Sequence, residues 1–342
     1  MPRPPGIASA PGEGTAPPLL VVAGPTATGK TELAIEVALA LQARGVDAEV
    51  ISADSRQVFR GLDVGTAKPS PEERRGIPHH GLNLVEPDEP FSVADFVRHA
   101  RAVLAGIGAR RGLAILAGGT GLYLRSIARG LDVDELPSDP TLRARIDRRL
   151  LDEGLAPVVS RLRALAPTRA AAIDLRNPRR VARALEIAEL RGDASLPATV
   201  GYPGPVAWLG LDVEPATHRA WIERRARAQF ASGLIEEARR LREAFDPSLP
   251  AFSAIGYREA WAVLDGALDL EAAIDADARR NVAFAKRQRT WFHSEREVTW
   301  LDPTDGLESP VRAAIDVAQR LLEAIDPGAS HRPVTGVAPS HR

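Results

Sequence analysis

At 342 residues, with 44% hydrophobic and 26% charged side chains and a formal net charge of −1, the chain has the composition of a globular protein of one large or two ordinary domains. It contains no cysteine, which removes disulfides, thiolate catalysis and cysteine-ligated zinc together. No apolar run reaches the length of a bilayer span, and residues 1–18 lack the apolar stretch of a secretory signal, so a cytoplasmic location is expected.

Residues 1–18, rich in Pro and Gly, predict a disordered leader. The run PLLVVA at 18–23 reads as a buried strand and ELAIEVALALQAR at 32–44 as a helix. Between them Gly24, Pro25, Thr26, Ala27, Thr28, Gly29, Lys30 and Thr31 spell GPTATGKT, the G-x-x-x-x-G-K-[ST] pattern. Its glycines let backbone N–H groups turn inward around phosphate oxygens at a helix N-terminus. Lys30 would meet the charge of the phosphate, and Thr31 would offer its hydroxyl to Mg²⁺. A second strand is expected at 49–52, and Asp54 follows it in SADSRQVF, at the carboxyl edge where open α/β sheets place their ligands. A carboxylate there could hold Mg²⁺ or act as a general base, while a turn or cap would use the same residue. His79 and His80 lie in a loop rich in Gly and Pro with no partner ligands nearby, so they read as surface or turn residues. A third strand at 113–116 ends in AGGTGLYL. Where a nucleotide-hydrolysing protein usually carries an acid for Mg²⁺, this chain has Gly118, Gly119 and Thr120. The expected outcome is a loop that grips pyrophosphate without hydrolysing ATP, with glycines that admit a ligand closely or simply make a tight turn.

From 132 to 192 no strand candidate occurs, only helical segments rich in Arg, Leu and Ala. One has a cap at Asn177, Pro178 in its first turn and Gly192 past its end. Residues 143–191 carry twelve Arg against six acidic residues, an excess that suits a phosphate backbone or, equally, solvated helix faces. The exit at 193–205 is rich in Gly, Pro and small residues, which suggests a clamp able to rotate. A fourth strand is expected at 206–212, and beyond Pro215 the chain reads as wholly helical. There Lys286, Arg289 and His293 share one helical stripe, with Trp291 and Phe292 beside it, a pattern that suits RNA or plain core packing. Residues 326–342 read as a disordered tail. Strand and helix alternation gives an α/β class: a parallel-sheet core like that of P-loop NTPases in two pieces, 19–131 and 193–325, interrupted by an all-helical insertion at 132–192.

The assembled motifs resemble those of the tRNA dimethylallyltransferase family. The resemblance covers residues 19–302 and is carried by GPTATGKT, ISADSRQVFRGLDVGTAKP, PHHGLNLVEPDEPFSVADF, GGTGLYLRSIARGL, NPRRVARALE, IGYREA and AKRQRTWF in this order. It implies Mg²⁺-assisted transfer of the dimethylallyl group of dimethylallyl diphosphate to the exocyclic amine of the adenosine just 3′ of the anticodon, with that base extruded. By resemblance Asp54 and Thr120 are catalytic, and residues 24–31 with Arg225 bind the diphosphate. Asp54, Ser55, Arg56, Gln57, Arg143, Arg179, Arg180, Val181, Ala182, Arg183, Gly256, Tyr257, Arg258, Lys286, Arg287, Gln288, Arg289 and Trp291 match stretches that contact tRNA, Gln57 at the target base. The partner implied is the tRNA anticodon stem-loop, met by a monomer without membrane attachment. Phe59, Asn83 and Gln229 depart from the family's usual Tyr, Asp and Met. The rivals are a P-loop kinase, disfavoured by the missing acid after the third strand, a prenyltransferase acting on free adenine nucleotides, which has no need of two basic regions, and a non-enzymatic RNA-binding module, disfavoured by the intact phosphate loop and Asp54.

Overall fold

The computed structural model describes residues 16–131, 136–194 and 199–325; the expected tail at 326–342 and residues 1–15 of the expected leader lie outside them. By internal contacts the chain divides into one unit of residues 1–129 with 201–342 and a second of residues 130–200.

The first unit is built on six parallel strands: β1 (Leu19–Ala23), β2 (Ala48–Ser52), β3 (His79–His80), β4 (Leu113–Gly118), β5 (Val206–Leu211) and β6 (Val298–Leu301). Their order across the sheet is β3-β2-β4-β1-β5-β6. Ala23 lies opposite Gly118 on one side and Gly210 on the other, and Ser52 lies opposite Ala117. Because every strand points the same way, the loops that leave β1, β2, β4 and β5 emerge along one edge. β1, β2 and β4 are buried throughout, which explains their near-continuous Leu, Val, Ile and Ala runs.

Two strands correct the sequence reading. His79 and His80, expected in a loop, pair with Val50 and Ile51 as the edge strand β3. Two residues offer no periodicity to read. The chain beyond Pro215 is not wholly helical either, because Val298–Leu301 pairs with β5 from Trp208 to Leu211.

One face of the sheet is covered by α1 (Lys30–Gln42) and α12 (Glu308–Glu323), whose Leu33, Val37, Leu41, Ala314 and Ala318 close over Leu20, Ile115 and Leu209. On the other side α2 (Val93–Ala109), started by a Ser92–Asp95 capping box, packs with α3 (Gly121–Ala128), where the Phe96 and Tyr123 rings stack at 4.0 Å. A separate cluster unites α8 (Pro215–Ala231), α9 (Leu234–Ala244), α10 (Tyr257–Leu264) and α11 (Leu270–Phe292) with the segment after β2 through Val58, Phe59 and Leu62. It fixes α8 and α11, the two helices that reach the phosphate loop.

The second unit holds α4 (Pro140–Glu153), α5 (Leu155–Leu165), α6 (Pro167–Ala171) and α7 (Pro178–Arg191), with no strand among its described residues. Its core is Leu142, Ile146, Val158, Leu162, Val181 and Leu185. The Asn177 side chain accepts from the Arg179 and Arg180 amides, and Gly192 closes α7 at φ 68°.

Candidate active site

Backbone geometry explains why glycines bracket the loop after β1. At Gly24, φ is 147° and a Cβ would stand 2.6 Å from the Leu211 carbonyl oxygen, so no side chain fits. Gly29, at φ 85°, turns the chain left-handed into α1. Ala27 also takes a left-handed φ of 62°, a conformation that costs on the order of 1 kcal/mol for a residue with a Cβ. The Pro25 carbonyl accepts from Thr28 Oγ1 at 2.9 Å and from Lys30 Nζ at 2.5 Å. Lys30 thus folds back over its own loop. Burial, then the neighbouring Arg225 guanidinium, push its amine down from 10.5 to about 7, partly offset by Asp54.

Asp54 leaves the end of β2 half-buried, and one of its oxygens accepts from the Arg56 amide at 2.8 Å, so it makes the turn as well as facing the site. The glycines after β4 do more than admit a ligand. A Cβ on Gly118 would lie 2.2 Å from the Ala53 carbonyl oxygen, so the backbone itself brings this loop against the one carrying Asp54. Thr120 then accepts from the Ser55 amide at 3.0 Å and ties the two loops together.

These loops enclose a cavity of about 80 Å³ lined by Thr26, Lys30, Thr31, Asp54, Gln57, Gly119, Arg225, Phe284 and Gln288, among others. Lys30, Thr31 and Arg225 also line an open cleft of about 1330 Å³, floored by Ala67, Lys68 and Gln229 and flanked by Trp221 and Leu307. The phosphate loop therefore stands between a small polar chamber and a wide approach. Cations meet a carboxylate and a threonine hydroxyl in that chamber, an arrangement able to hold a diphosphate and take up a proton. For Mg²⁺ the fit is that of an ion completed by its ligand. Among the described residues no three His, Asp or Glu side chains group to hold a metal, and Mg²⁺ ordinarily combines a single hydroxyl or carboxylate with waters and substrate phosphates. Thr31, beside Lys30 in the chamber, offers that hydroxyl.

Several residues matched to tRNA contacts have side chains engaged within the protein. Tyr257 is fully buried with its hydroxyl on Glu237 Oε1 at 2.8 Å, and Val181 and Ala182 are core residues of the second unit. Their side chains are packed into the protein, as the inward positions of an amphipathic helix are. Arg289 does not stand out with Lys286: its Nε donates to Asp212 Oδ1 at 2.7 Å, and His293 meets the other oxygen of Asp212 at 2.8 Å. Trp291 packs against α3, with the Arg125 guanidinium 4.5 Å from its ring centre and Gly121 beneath it. Arg143 and Arg183 both donate to the buried Glu186 carboxylate. Gln57 is buried, bonded to Ser52 and to the Thr66 and Ala67 carbonyls, yet it lines the chamber. Arg179, Arg180, Arg258, Lys286 and Arg287 are exposed; Arg56 is half-buried and donates to the Pro250 carbonyl; Gly256 is buried at the start of α10.

Sequence reasoning missed Phe284, an aromatic residue 37% exposed at the chamber, and His218, which is buried against the phosphate loop. It also missed Glu237, whose carboxylate accepts from the amides of Asp63, Val64 and Gly65 and so fixes the segment flooring the cleft. No motif marks any of the three, since each acts across a long chain separation.

Comparison with known proteins adds an independent line. A family model described as IPP transferase matches residues 57–295, and one described as Isopentenyl transferase matches residues 17–80. A tRNA dimethylallyltransferase from Anaeromyxobacter sp. (strain K) is 45% identical over 302 residues, 87% of this chain and 97% of the relative. Another, from Symbiobacterium thermophilum, is 40% identical over 310 residues, 90% of this chain and 95% of the relative. Among solved structures, the full-length tRNA isopentenylpyrophosphate transferase from Bacillus halodurans superposes with a TM-score of 0.66 at 36% identity, over 92% of this chain and 99% of that one. A eukaryotic dimethylallyltransferase acting on tRNA shares the fold, with a TM-score of 0.70 at 23% identity over 94% of this chain and 81% of that one.

Proposed function

The chain belongs to the IPP transferase family, and from that premise we propose that it transfers the dimethylallyl group of dimethylallyl diphosphate to N6 of the adenosine 3′-adjacent to the anticodon in tRNA. The observation that carries this reading is the chamber in which the phosphate loop, Arg225 and Asp54 face one another, within a chain that its tRNA-modifying relatives match almost end to end.

In this reading the diphosphate lies on residues 24–31, its charge met by Lys30 and Arg225, both of which also face Asp54 in the chamber. The adenosine amine attacks the allylic carbon. The carbon–oxygen bond to the diphosphate breaks, its electron pair leaves with the pyrophosphate, and the proton shed by the amine passes to the Asp54 carboxylate. Thr120 holds the two loops that flank this exchange through Ser55. Thr31 would hold Mg²⁺, which when bound supplies charge neutralisation for the departing pyrophosphate. Since a base within a stem-loop cannot enter a chamber of about 80 Å³ while stacked, extrusion is part of the reading. Among the positions matched to tRNA contacts, exposed Arg179, Arg180, Arg258, Lys286 and Arg287 are cations that can meet RNA phosphates.

Incubation with dimethylallyl diphosphate, Mg²⁺ and either tRNA or AMP tests the proposal. Prenylated adenosine should arise in tRNA and not in AMP, and a substrate tRNA with guanosine at the target position should stay unmodified. Modification of AMP alone would assign the chain to free nucleotides.

A further inference from the structure

Among the described residues, the hydrogen bonds that reach the phosphate loop from distant helices meet at Thr26. Thr26 has three polar groups, and each meets a side chain from a distant helix. Its N–H donates to Gln288 Oε1 at 2.8 Å, its carbonyl meets His218 Nε2 at 2.7 Å, and its hydroxyl accepts from Arg225 Nη1 at 2.9 Å. A carbonyl can only accept, so His218 carries a hydrogen on Nε2. The Gln288 amide is fixed just as firmly: its Nε2 donates to the Gly119 carbonyl at 2.9 Å, and a reversed amide would set donor against donor and acceptor against acceptor. His218 and Gln288 are 4% and 7% exposed. A Cβ on Gly119 would come within 2.4 Å of Gln288 Nε2, so the bridge requires a glycine at that position.

We propose that His218 on α8 and Gln288 on α11 are positioning residues that lock Thr26 and thereby preset the loop for a diphosphate. The need is visible in the loop itself, where Ala27 sits in a left-handed conformation and the chain from 24 to 29 lacks regular structure. A free segment of that kind must be ordered when the anion arrives, and the ordering entropy is then subtracted from affinity. Three bonds to two helices anchored in the hydrophobic cluster that α8 and α11 share with α9 and α10 order it beforehand. Gln288 matches a stretch assigned to tRNA by resemblance, yet both ends of its amide are spent on the protein. Neither side chain needs to touch the reacting atoms. The proposal rests on the reading that residues 24–31 bind a diphosphate.

The test uses the full chain with Mg²⁺ and inorganic pyrophosphate as the probe, measured by calorimetry, alongside steady-state kinetics. His218→Ala and Gln288→Met should each weaken pyrophosphate binding about tenfold, and in His218→Ala, which lies outside the chamber lining, KM for dimethylallyl diphosphate should rise to match with kcat at saturation and tRNA affinity within about threefold of the parent. His218→Gln, whose amide can donate to the same carbonyl, should recover most of the loss, whereas a residue that merely filled space would not show rescue by a donor of different shape. Pyrophosphate affinity within twofold of the parent in both His218→Ala and Gln288→Met would overturn the lock. So would equal losses in His218→Ala and His218→Gln. Should His218→Ala fail to fold, Gln288→Met and His218→Gln decide: a tenfold loss in the first with near-parental affinity in the second supports the lock, and any other pairing refutes it. Parent protein that binds no pyrophosphate would defeat the proposed function itself; pyrophosphate binding without tRNA modification would defeat only the acceptor.

Discussion

Binding of the allylic diphosphate should draw a proton onto Lys30. Burial and Arg225 hold the amine down to about 7, from an ordinary 10.5, and Asp54 offsets them only in part. A bound diphosphate places negative charge beside the amine and favours its charged form, which returns the pKa toward 10.5. At about pH 8 the free amine is then only ~0.1 protonated and the bound one almost fully, so uptake of ~0.9 proton per ligand is expected. At about pH 5.5 both states are protonated at Lys30 and its contribution vanishes. The sign follows from linkage: the complex binds more protons than free protein in this window, so affinity falls as pH rises from about 7, approaching ~tenfold per unit in its upper part. Calorimetry in two buffers of different ionisation enthalpy measures the uptake directly, and Lys30→Met supplies the control. Uptake below ~0.2 proton at about pH 8, or the same uptake in Lys30→Met, would refute this assignment of charge in the loop.

Other outcomes follow from the same geometry. Asp54→Ala should slow single-turnover transfer about a hundredfold or more with little change in tRNA affinity, and a variant of near-parental rate would remove Asp54 as the base. Lys286→Ala should lower the magnitude of the salt slope of tRNA binding by ~0.7–0.9, while Arg289→Ala, whose side chain is held by Asp212, should leave that slope unchanged and lower the melting temperature instead. Equal slope changes in the two variants would show that Arg289 leaves Asp212 for RNA. Glu186→Ala should destabilise the second unit by about 2–4 kcal/mol, read by hydrogen exchange in α7, because it strands Arg143 and Arg183 around a buried site. Burial alone would raise the Glu186 carboxyl, yet bonds from Arg143, Arg183 and the Asp139 amide bring it below 4.5; the protection it gives should be complete above that pH and lost as pH falls through its lowered value.

Much of this molecule can be read from its sequence because the reporters are local. Strands buried on both faces announce themselves as apolar runs, and a phosphate loop needs its glycines at fixed spacing, so β1, the loop and α1 follow from residues 18–44. Asp54 is legible for the same reason, lying two residues past Ser52, the end of β2. What escapes is what depends on partners far along the chain. Two-residue β3 and four-residue β6 exist because a neighbouring strand offers them hydrogen bonds. His218 gains its place through a carbonyl 192 residues away, and Arg289 is turned toward Asp212, 77 positions earlier. Charge periodicity on a helix cannot tell a solvated cation from one that turns back to a carboxylate.

The most direct measurement is a single-turnover reaction of enzyme with dimethylallyl diphosphate, Mg²⁺ and tRNA, followed by nuclease digestion and mass analysis of the nucleosides, with parallel reactions that replace tRNA by AMP or the allylic diphosphate by ATP. The expected result is N6-dimethylallyladenosine from the position 3′ of the anticodon, one pyrophosphate released for each group transferred, no product from AMP and no hydrolysis of ATP. Lys30-dependent turnover of ATP, or transfer to AMP with tRNA left unmodified, would contradict it.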